Sequence, residues 1–293
     1  MSDFLETVVR ERRAYVAAAR AWKPLEQVIN VARRTAMSRG PGRFARTLRE
    51  RRAAGTLAVI AEVKRHSPAL GPLGAIDDPG RLAFVYGQAG AAAISVLVEP
   101  QHWRGSIDDV VAVRSVERGV GWGVPILAKD VTVDEYQIAE AGAAGADAVL
   151  LIAEALSESD LVRLILFARD LGMDALVEAH EADAFSRAVR AEEATRDAAG
   201  AALSVGTETL LGVNARDLRQ PSRLDRGTIH LLAPLAPRGP ILVAESGITS
   251  VEDAEALPLR VDAVLVGTAL VQASDPTPLV RALSGARPGR ALA

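Results

Sequence analysis

Three observations predict that the chain folds as a single (β/α)8 TIM barrel, a closed sheet of eight parallel strands with helices between them. Eight short, continuously apolar runs recur along the sequence, as expected for strands buried on both faces. Helix start signals fall between these runs. The 293 residues fit one barrel of roughly 250 residues plus an extension. Eight strands alternating with helices favour the closed barrel over an open, doubly wound sheet.

The apolar runs give the expected strand positions. Each run is rich in Val, Ile, Leu and Ala and is too short to form an amphipathic helix. A parallel strand covered by helices on its outer face needs this composition, because neither of its faces meets water. We predict strands at 58–63, 92–98, 125–129, 147–152, 174–178, 210–214, 241–245 and 262–266.

Helix starts are indicated by three pairs spaced like capping boxes or their aspartate variants: Thr132 with Glu135, Ser157 with Asp160, and Ser250 with Asp253. In such a pair the first side chain accepts a hydrogen bond from the backbone N–H three residues later. The connection at 179–209 is unusually long, and we predict an extended helix within it. This connection leads from a helix to a strand, so most of it should lie away from the catalytic face.

Residues 1–50 precede the first predicted strand. Phe4, Leu5, Val8 and Val9 have helical spacing and form an apolar stripe that needs a surface to cover. The segment is too short to build its own core, so we expect one or two helices packed on the barrel as a lid or plug, with a break at 38–42. We therefore divide the chain into a helical extension (1–50) and a catalytic barrel (51–293).

Composition excludes several classes of function. The formal net charge is −3 and no basic stripe is present, so we expect no nucleic-acid partner. The chain has no cysteine, which excludes disulfides, thiolate zinc sites and thiol catalysis. The N-terminus lacks the apolar region of a signal peptide, and no window approaches the roughly 18 apolar residues of a membrane helix. We expect a cytoplasmic monomer without membrane contact.

Lysine is rare in this sequence. Of the 34 basic residues, only Lys23, Lys64 and Lys129 are lysines. A general preference for arginine accounts for most of the surface. Arginine keeps its proton in proteins, whereas a partly buried lysine can release one. Lys64 and Lys129 are therefore candidates for proton chemistry.

Charged residues end several predicted strands, where this fold places its active site. Glu62 and Lys64 are two apart and should point to the same side of strand one. One charge at a strand end is usually solvated or half of a structural ion pair. A whole set converging on one barrel mouth instead indicates an acid–base site. The set comprises two lysines, three glutamates and an asparagine: Lys64, Lys129, Glu62, Glu178, Glu245 and Asn214.

Two glycine-containing turns follow the last two strands. Ser246-Gly247 comes after strand seven and Gly267-Thr268 after strand eight. Loops at these positions often bind phosphate through backbone N–H groups and a helix N-terminus. Tight strand-to-helix turns would explain either glycine alone, but the pair favours a phosphate site.

Five segments resemble the successive signature segments of indole-3-glycerol phosphate synthases: 60–68, 95–106, 127–130, 212–218 and 244–248. Their order and spacing agree over nearly the whole chain, including the helical extension. The resemblance implies conversion of 1-(2-carboxyphenylamino)-1-deoxyribulose 5-phosphate to indole-3-glycerol phosphate in tryptophan biosynthesis, with loss of carbon dioxide and water. It implies a small phosphorylated substrate, and neither metal nor cofactor.

The resemblance also implies roles for individual residues. Lys129 corresponds to the general acid, Glu178 to an acid–base carboxylate and Glu62 to a second carboxylate. Lys64 corresponds to a lysine that holds substrate anions, and how the two lysines divide the acid chemistry stays open. The implied substrate-binding residues are Ser67, Pro68, Trp103, Leu150, Asn214, Arg216 and Glu245, and the implied phosphate-binding residues are Ser246, Gly247, Gly267 and Thr268.

The sequence departs from the family pattern in the expected ring pocket. Trp103 stands where phenylalanine is usual, and Val131 stands where a larger residue often occurs. We expect Trp103 to fill the space that Val131 leaves. The substrate ring would then lie among Pro68, Trp103, Leu150 and Leu218.

Three alternatives differ in chemistry. Phosphoribosylanthranilate isomerase, a barrel of the same pathway, uses a catalytic cysteine that this chain lacks. A metal-dependent lyase or hydrolase could use His66, His102, His180 and Glu178, but no two histidines have the i,i+4 spacing of a helical metal site. A non-catalytic scaffold barrel would have no need of the complete set of charged residues at the strand ends.

Overall fold

A closed barrel of eight parallel strands forms the centre of the protein in a computed structural model that describes residues 3–74, 76–121, 123–197 and 206–289. Each strand pairs with the next in sequence, and the last pairs with the first to close the barrel. All eight predicted strands are confirmed to within one residue at either end. The strands are β1 (Ala58–Val63), β2 (Ala93–Leu97), β3 (Ile126–Lys129), β4 (Ala148–Ile152), β5 (Asp174–Ala179), β6 (Thr209–Asn214), β7 (Leu242–Glu245) and β8 (Ala263–Val266).

Helices surround the barrel and precede it. A short hairpin, His66–Ser67 with Gly71–Pro72, follows β1. The predicted extended helix after β5 is confirmed as α8, while residues 198–205 of that connection lie outside the described residues. The helices are α1 (Phe4–Trp22), α2 (Leu25–Met37), α3 (Arg43–Ala53), α4 (Pro79–Gln88), α5 (Ile107–Val120), α6 (Glu135–Ala144), α7 (Glu158–Asp170), α8 (Ala182–Asp197), α9 (Thr228–Leu232), α10 (Val251–Glu255), α11 (Thr268–Val271) and α12 (Thr277–Gly285).

Two of the three predicted helix caps are confirmed. Ser157 caps α7 and Ser250 caps α10, each accepting a hydrogen bond from the backbone N–H three residues later. The prediction for Thr132 is wrong. Asp134 caps α6 instead, because its carboxylate accepts from the N–H of Tyr136 at 2.8 Å, and Thr132 is buried two residues earlier.

The N-terminal segment contains three helices before β1, where the sequence indicated one or two. Pro24 interrupts the first helical run, because it offers no N–H, and α2 begins directly after it. Gly42 takes a left-handed conformation (φ 66°) and separates α2 from α3. Residue 50 lies inside α3, and the division into 1–50 and 51–293 stays a prediction. Within the described residues no helix is both long and apolar enough to span a membrane.

Helix α3 lies across the N-terminal ends of the strands and is held by acidic residues there. Asp174, the first residue of β5, accepts hydrogen bonds from the N–H groups of Ala45 (2.9 Å) and Glu208 (2.7 Å). Burial raises the pKa of Asp174 to about 7. Arg52 reaches Asp262, just before β8, at 3.2 Å. These contacts seat α3 as a plug under the barrel.

Helix α1 lies at the opposite end, beside the C-terminal ends of the strands. The backbone N–H of Phe4 donates to the carbonyl of Arg219, in the loop after β6. Leu5 and Val8 of α1 are buried in the same apolar cluster as Phe44 of α3 and the inward-facing strand residues. One continuous segment of chain therefore contacts both ends of the barrel.

Replacing Phe44 tests whether α3 is part of the core. Phe44 is fully buried, so we expect Phe44→Ala to lower the free energy of unfolding by roughly 3–5 kcal/mol, through lost contacts and the cavity left behind. Urea denaturation followed by circular dichroism measures the change. Glu50→Ala, at an exposed position of the same helix, should stay within about 0.5 kcal/mol of the parent. A loss under about 1 kcal/mol for Phe44→Ala would contradict the plug.

Candidate active site

A cavity of about 400 Å³ opens at the C-terminal ends of the strands. Every residue that the sequence suggested for the site lines it, so the structure brings the whole predicted set together, while the individual roles stay predictions. The predicted residues around the cavity are Glu62, Lys64, Ser67, Pro68, Trp103, Lys129, Leu150, Glu178, Asn214, Arg216, Glu245, Ser246, Gly247, Gly267 and Thr268.

Lys129 ends β3 and lies between two buried carboxyl groups. Its Nζ is 2.9 Å from Oε2 of Glu178, on β5, and 3.0 Å from Oε2 of Glu245, on β7. Burial acts to lower the pKa of Lys129, but the negative charges of Glu178, Glu245 and Glu62 outweigh burial and raise it. The surroundings therefore favour the ammonium form of Lys129.

The two glutamates beside Lys129 differ in their surroundings. Glu178 also accepts a hydrogen bond from Asn214 Nδ2 at 3.1 Å, whereas Oε1 of Glu245 is buried with no hydrogen-bond partner among the described residues. Burial acts to raise the pKa of both groups. For Glu178 it is outweighed by Lys129 and by hydrogen bonds from Glu245, Lys129 and Asn214, which together lower the pKa. The pKa of Glu245 is raised, by burial first and then by the charge of Glu178.

A second ion pair lies at the end of β1. Lys64 Nζ is 2.7 Å from Glu62 Oε1, as expected for residues two apart on one side of a strand. Arg216 stands near this pair, with its guanidinium donating to the carbonyl of Pro221 at 2.6 Å. Burial lowers the pKa of Arg216 while the charge of Glu62 opposes the shift. Positive groups thus converge on the mouth from β1, β3 and the loop after β6.

Two glycines make room for the buried carboxyl groups. A Cβ atom on Gly267 would lie 2.2 Å from Glu62 Oε1, and one on Gly212 would lie 2.4 Å from Glu245 Oε1. Neither position tolerates a side chain while the carboxyl groups stay in place. Sequence reasoning assigned Gly267 to phosphate alone and did not select Gly212, although glycine inside a strand is a known sign of close approach.

An apolar wall forms one side of the cavity. Pro68, Trp103, Val131, Leu150 and Leu218 all contribute to it. The wall therefore contains every residue expected around the substrate ring, with Trp103 and Val131 lining the same cavity.

The loop that carries Trp103 is fixed by Glu99. The buried Glu99 carboxylate accepts hydrogen bonds from the N–H groups of Gln101 (3.0 Å), His102 (2.6 Å) and Trp103 (3.0 Å). Phe4 of α1 packs edge-on against Trp103, with ring centroids 5.8 Å apart. Sequence reasoning missed Glu99, although an acidic residue shortly after β2 was the available signal.

The two glycine-containing turns, which follow β7 and β8, also line the cavity. Ser246 (φ 67°) and Gly247 (φ 79°) are both left-handed, which turns the chain sharply after β7. Arg226, which the sequence did not single out, packs across Gly247 and lines the cavity, with Nη1 2.7 Å from Asp253 Oδ1. This end combines uncharged turn residues with an exposed guanidinium and suits an anionic group.

The histidines do not converge on one centre. His66 Nδ1 lies 2.6 Å from the backbone oxygen of His102, and His180 Nδ1 lies 2.8 Å from that of Asn214. In the described parts of the chain, no three or more His, Asp or Glu side chains come together in an arrangement that could hold a metal ion. The histidines instead fix the loops around the mouth.

A TIM barrel whose mouth holds lysines and carboxyl groups of unequal proton affinity, beside apolar residues and two glycine-containing turns, has the site of an enzyme that uses acid–base chemistry. The sequence profile of the family described as indole-3-glycerol phosphate synthase matches residues 5–283. The enzyme of that name from Nocardioides sp. is 47% identical over 235 residues, covering 80% of this chain and 82% of its own. That from Roseiflexus castenholzii is 40% identical over 288 residues, covering 97% and 99%. The chain belongs to the indole-3-glycerol phosphate synthase family and is a carboxy-lyase.

Solved structures of other enzymes show the same fold. The alpha subunit of tryptophan synthase from Legionella pneumophila matches 83% of this chain and 97% of its own, with a TM-score of 0.57 and 15% identity. 3-Hexulose-6-phosphate synthase from Salmonella typhimurium matches 78% and 97%, with a TM-score of 0.56 and 18% identity. At these identities the likeness concerns the barrel alone.

Gly212 offers a test of the close packing in the site. Gly212→Ala should push Glu245 away from Lys129 and lower kcat by about 10-fold or more, since small displacements of catalytic groups cost up to about 100-fold. Steady-state kinetics with a folding check by circular dichroism measures this. Gly119→Ala, in α5 with no described heavy atom within 4 Å of the new methyl group, is the matched control and should leave kcat unchanged. Equal kcat values for the two variants would contradict the packing argument.

The two glutamates beside Lys129 should respond differently to amide replacement. Glutamine resembles a protonated glutamate, so Glu245→Gln mimics the form that the raised pKa of Glu245 favours. Glu178→Gln removes a charge that the structure stabilises. We expect kcat to fall about 10²–10⁴-fold for Glu178→Gln, the usual contribution of an acid–base group, and much less for Glu245→Gln. The distances to Lys129 are nearly equal, so equal losses would refute the assignment of unequal protonation.

Proposed function

We propose that this cavity converts 1-(2-carboxyphenylamino)-1-deoxyribulose 5-phosphate to indole-3-glycerol phosphate, with Lys129 as the proton donor in ring closure. The position of the Lys129 ammonium group carries the proposal. It lies within 3.0 Å of two carboxyl groups, in a cavity lined both by apolar residues and by the two glycine-containing turns. This layout matches a substrate with an aromatic ring at one end and a phosphate at the other.

Substrate orientation follows from the two ends of the cavity. The carboxyphenyl ring would pack against Trp103, Pro68 and Leu150, and the phosphate would lie at the turns containing Ser246, Gly247, Gly267 and Thr268. Lys64 and Arg216 would face the negative charges of the substrate. The ketone carbon then lies between the two ends, within reach of Lys129.

Ring closure joins the ring carbon that bears the carboxylate to the ketone carbon. Negative charge develops on the ketone oxygen during this attack, and proton transfer from Lys129 Nζ converts it to a hydroxyl. The bond to the carboxylate then breaks, carbon dioxide leaves, and its electron pair restores the aromatic ring. Once Glu178 has taken up the proton released in the dehydration that follows, it is in place to return a proton to Lys129.

Dehydration completes the indole. The new hydroxyl leaves as water after accepting a proton from a lysine ammonium, and a carboxylate removes the proton that must be lost to form the ring double bond. Glu178, whose pKa is lowered, is suited to act as this base. Lys64, paired with Glu62, holds substrate anions and is the second available proton donor.

A direct assay tests the function. Purified protein is incubated with the carboxyphenylamino substrate, and the rise of indole fluorescence is followed. No signal at high enzyme concentration would overturn the proposal. Activity in the presence of excess chelator would separate this chemistry from the metal-dependent alternative. A cytoplasmic location and a monomeric state belong to the same proposal and are tested by fractionation and by light scattering.

Lysine-to-arginine replacements separate proton donation from charge. Lys129→Arg keeps the positive charge, but arginine holds its proton too tightly to act as an acid, so we expect kcat to fall about 10²–10⁴-fold with a smaller change in KM. Lys64→Arg should raise KM at least as visibly as it lowers kcat. Steady-state kinetics on both variants, with circular dichroism, checks this. A Lys129→Arg enzyme within a few-fold of the parent kcat would rule out Lys129 as the acid.

A further inference from the structure

We infer that Arg12, in the N-terminal helix α1, is a positioning residue for Lys129 and acts through Asp130; the inference rests on the proposed role of Lys129 as the acid. Arg12 Nη2 lies 2.5 Å from Asp130 Oδ2, and the two side chains are only 5% and 7% exposed. Asp130 directly follows Lys129 in the chain. A helix distant in sequence thus places a buried charge one residue from the acid.

Lys129 and Asp130 are consecutive residues where β3 ends, and their side chains point in opposite directions. Successive residues of a strand point to opposite faces, so Lys129 faces the cavity while Asp130 faces α1 and α6. The last pairing of β3 is at Lys129, whose carbonyl accepts from the N–H of Val98 at 2.9 Å. Beyond that point strand pairing no longer holds the chain, and side chains must do so.

Asp130 is the centre of the network that holds this segment. Its Oδ1 accepts from the N–H of Val131 at 2.9 Å, and its Oδ2 accepts from Gln137 Nε2 at 3.0 Å. Gln137, on α6, also donates to the carbonyl of Val131 and accepts from the N–H of Val133, both at 2.9 Å. Arg12 is the positive group in this network, and the other donors are neutral amides.

The charge of Arg12 matters because Asp130 is buried close to an ammonium group. A buried carboxylate without a positive partner is strongly unfavourable. Without Arg12, the described hydrogen bonds leave Asp130 with neutral donors alone, so the segment that carries Lys129 would have to rearrange to compensate the buried charge. Arg12 supplies the compensating charge from the other side and leaves Lys129 pointing into the cavity.

The guanidinium of Arg12 is itself held in position. It lies over the ring of Tyr15, 4.3 Å from the centroid, and the Tyr15 hydroxyl donates to Glu140 Oε1 at 2.7 Å. A cavity of about 190 Å³ adjoins this group and is lined by Arg12, Tyr15, Asp130 and Glu140 among others. The cavity offers room for a small guanidinium compound once the Arg12 side chain is truncated.

A second ion pair made by helix α1 provides a control for the pair between Arg12 and Asp130. Arg20 Nη2 lies 2.7 Å from Asp134 Oδ1, so it joins the same helix to the same connection after β3, but these side chains are 40% and 30% exposed. Exposed ion pairs contribute little to stability. The two pairs differ in burial and in distance from Lys129 along the chain, which are the two features that the inference depends on.

The experiment compares Arg12→Met, Arg12→Lys and Arg20→Met by steady-state kinetics and thermal melting. We expect Arg12→Met to lower kcat about 10–100-fold, the scale of a small misplacement of a catalytic group, with KM changed less than about threefold. Arg12→Lys should recover part of kcat because it restores the charge. Arg20→Met should keep kcat within about twofold of the parent. Unchanged kcat per folded molecule in Arg12→Met would overturn the inference.

Chemical rescue covers the case in which Arg12→Met does not fold. In Arg12→Ala, millimolar methylguanidinium should raise kcat several-fold, whereas Arg20→Ala should not respond. A rescue of melting temperature without a rescue of kcat would assign Arg12 a structural function only and overturn the inference.

A double mutant separates this inference from the proposed function. If Arg12 acts through Lys129, adding Arg12→Lys to Lys129→Arg should lower kcat much less than Arg12→Lys does alone, because coupled residues are non-additive. Additive losses would overturn the inference about Arg12 alone. A Lys129→Arg enzyme with parental kcat would instead remove the proposed role of Lys129.

Discussion

The structure depends on keeping a lysine and several carboxyl groups together in a volume from which water is largely excluded. Buried charges are tolerated only when each has a partner in good geometry. The barrel supplies that geometry through its odd-numbered strands, since β1, β3, β5 and β7 contribute Glu62, Lys129, Glu178 and Glu245. This arrangement follows the layering of TIM barrels, in which alternate strands fill one layer of the interior. Between them, β6 and the end of β8 present Gly212 and Gly267, which leave the space that the carboxyl groups occupy.

The two glutamates beside Lys129 differ in pKa because their hydrogen-bond partners differ. Glu178 and Glu245 lie at similar distances from Lys129, but Asn214 supports only Glu178, and Oε1 of Glu245 lacks any described partner. The local hydrogen bonds therefore decide which carboxyl group carries charge. An enzyme that must both give and take protons at neutral pH needs such a difference between neighbouring groups.

The sequence predicted the features that depend on local patterns. Strand positions follow from apolar runs, and the charged set at the mouth follows from where those runs end. The features it missed depend on contacts between distant parts of the chain. The cap of α6 is a local exception, because Thr132 and Asp134 are both residue types that cap helices and the sequence interpretation chose the wrong one. Nothing near Arg12 points to Asp130. An acidic residue just after β2 (Glu99) and a glycine inside β6 (Gly212) are both signals in the sequence. Only the folded barrel shows which groups they contact.

The N-terminal segment has a consequence for the order of events during protein synthesis. Its helices are made before the acidic residues that hold them. Arg12 can pair only after Asp130, 118 residues later in the chain, has been made. Arg52 can pair only after Asp262, 210 residues later, has been made. Contacts of such long range form late, because the intervening chain loses entropy when they close. Helix α3 therefore cannot complete its contacts with the barrel until the residues just before β8 have been made.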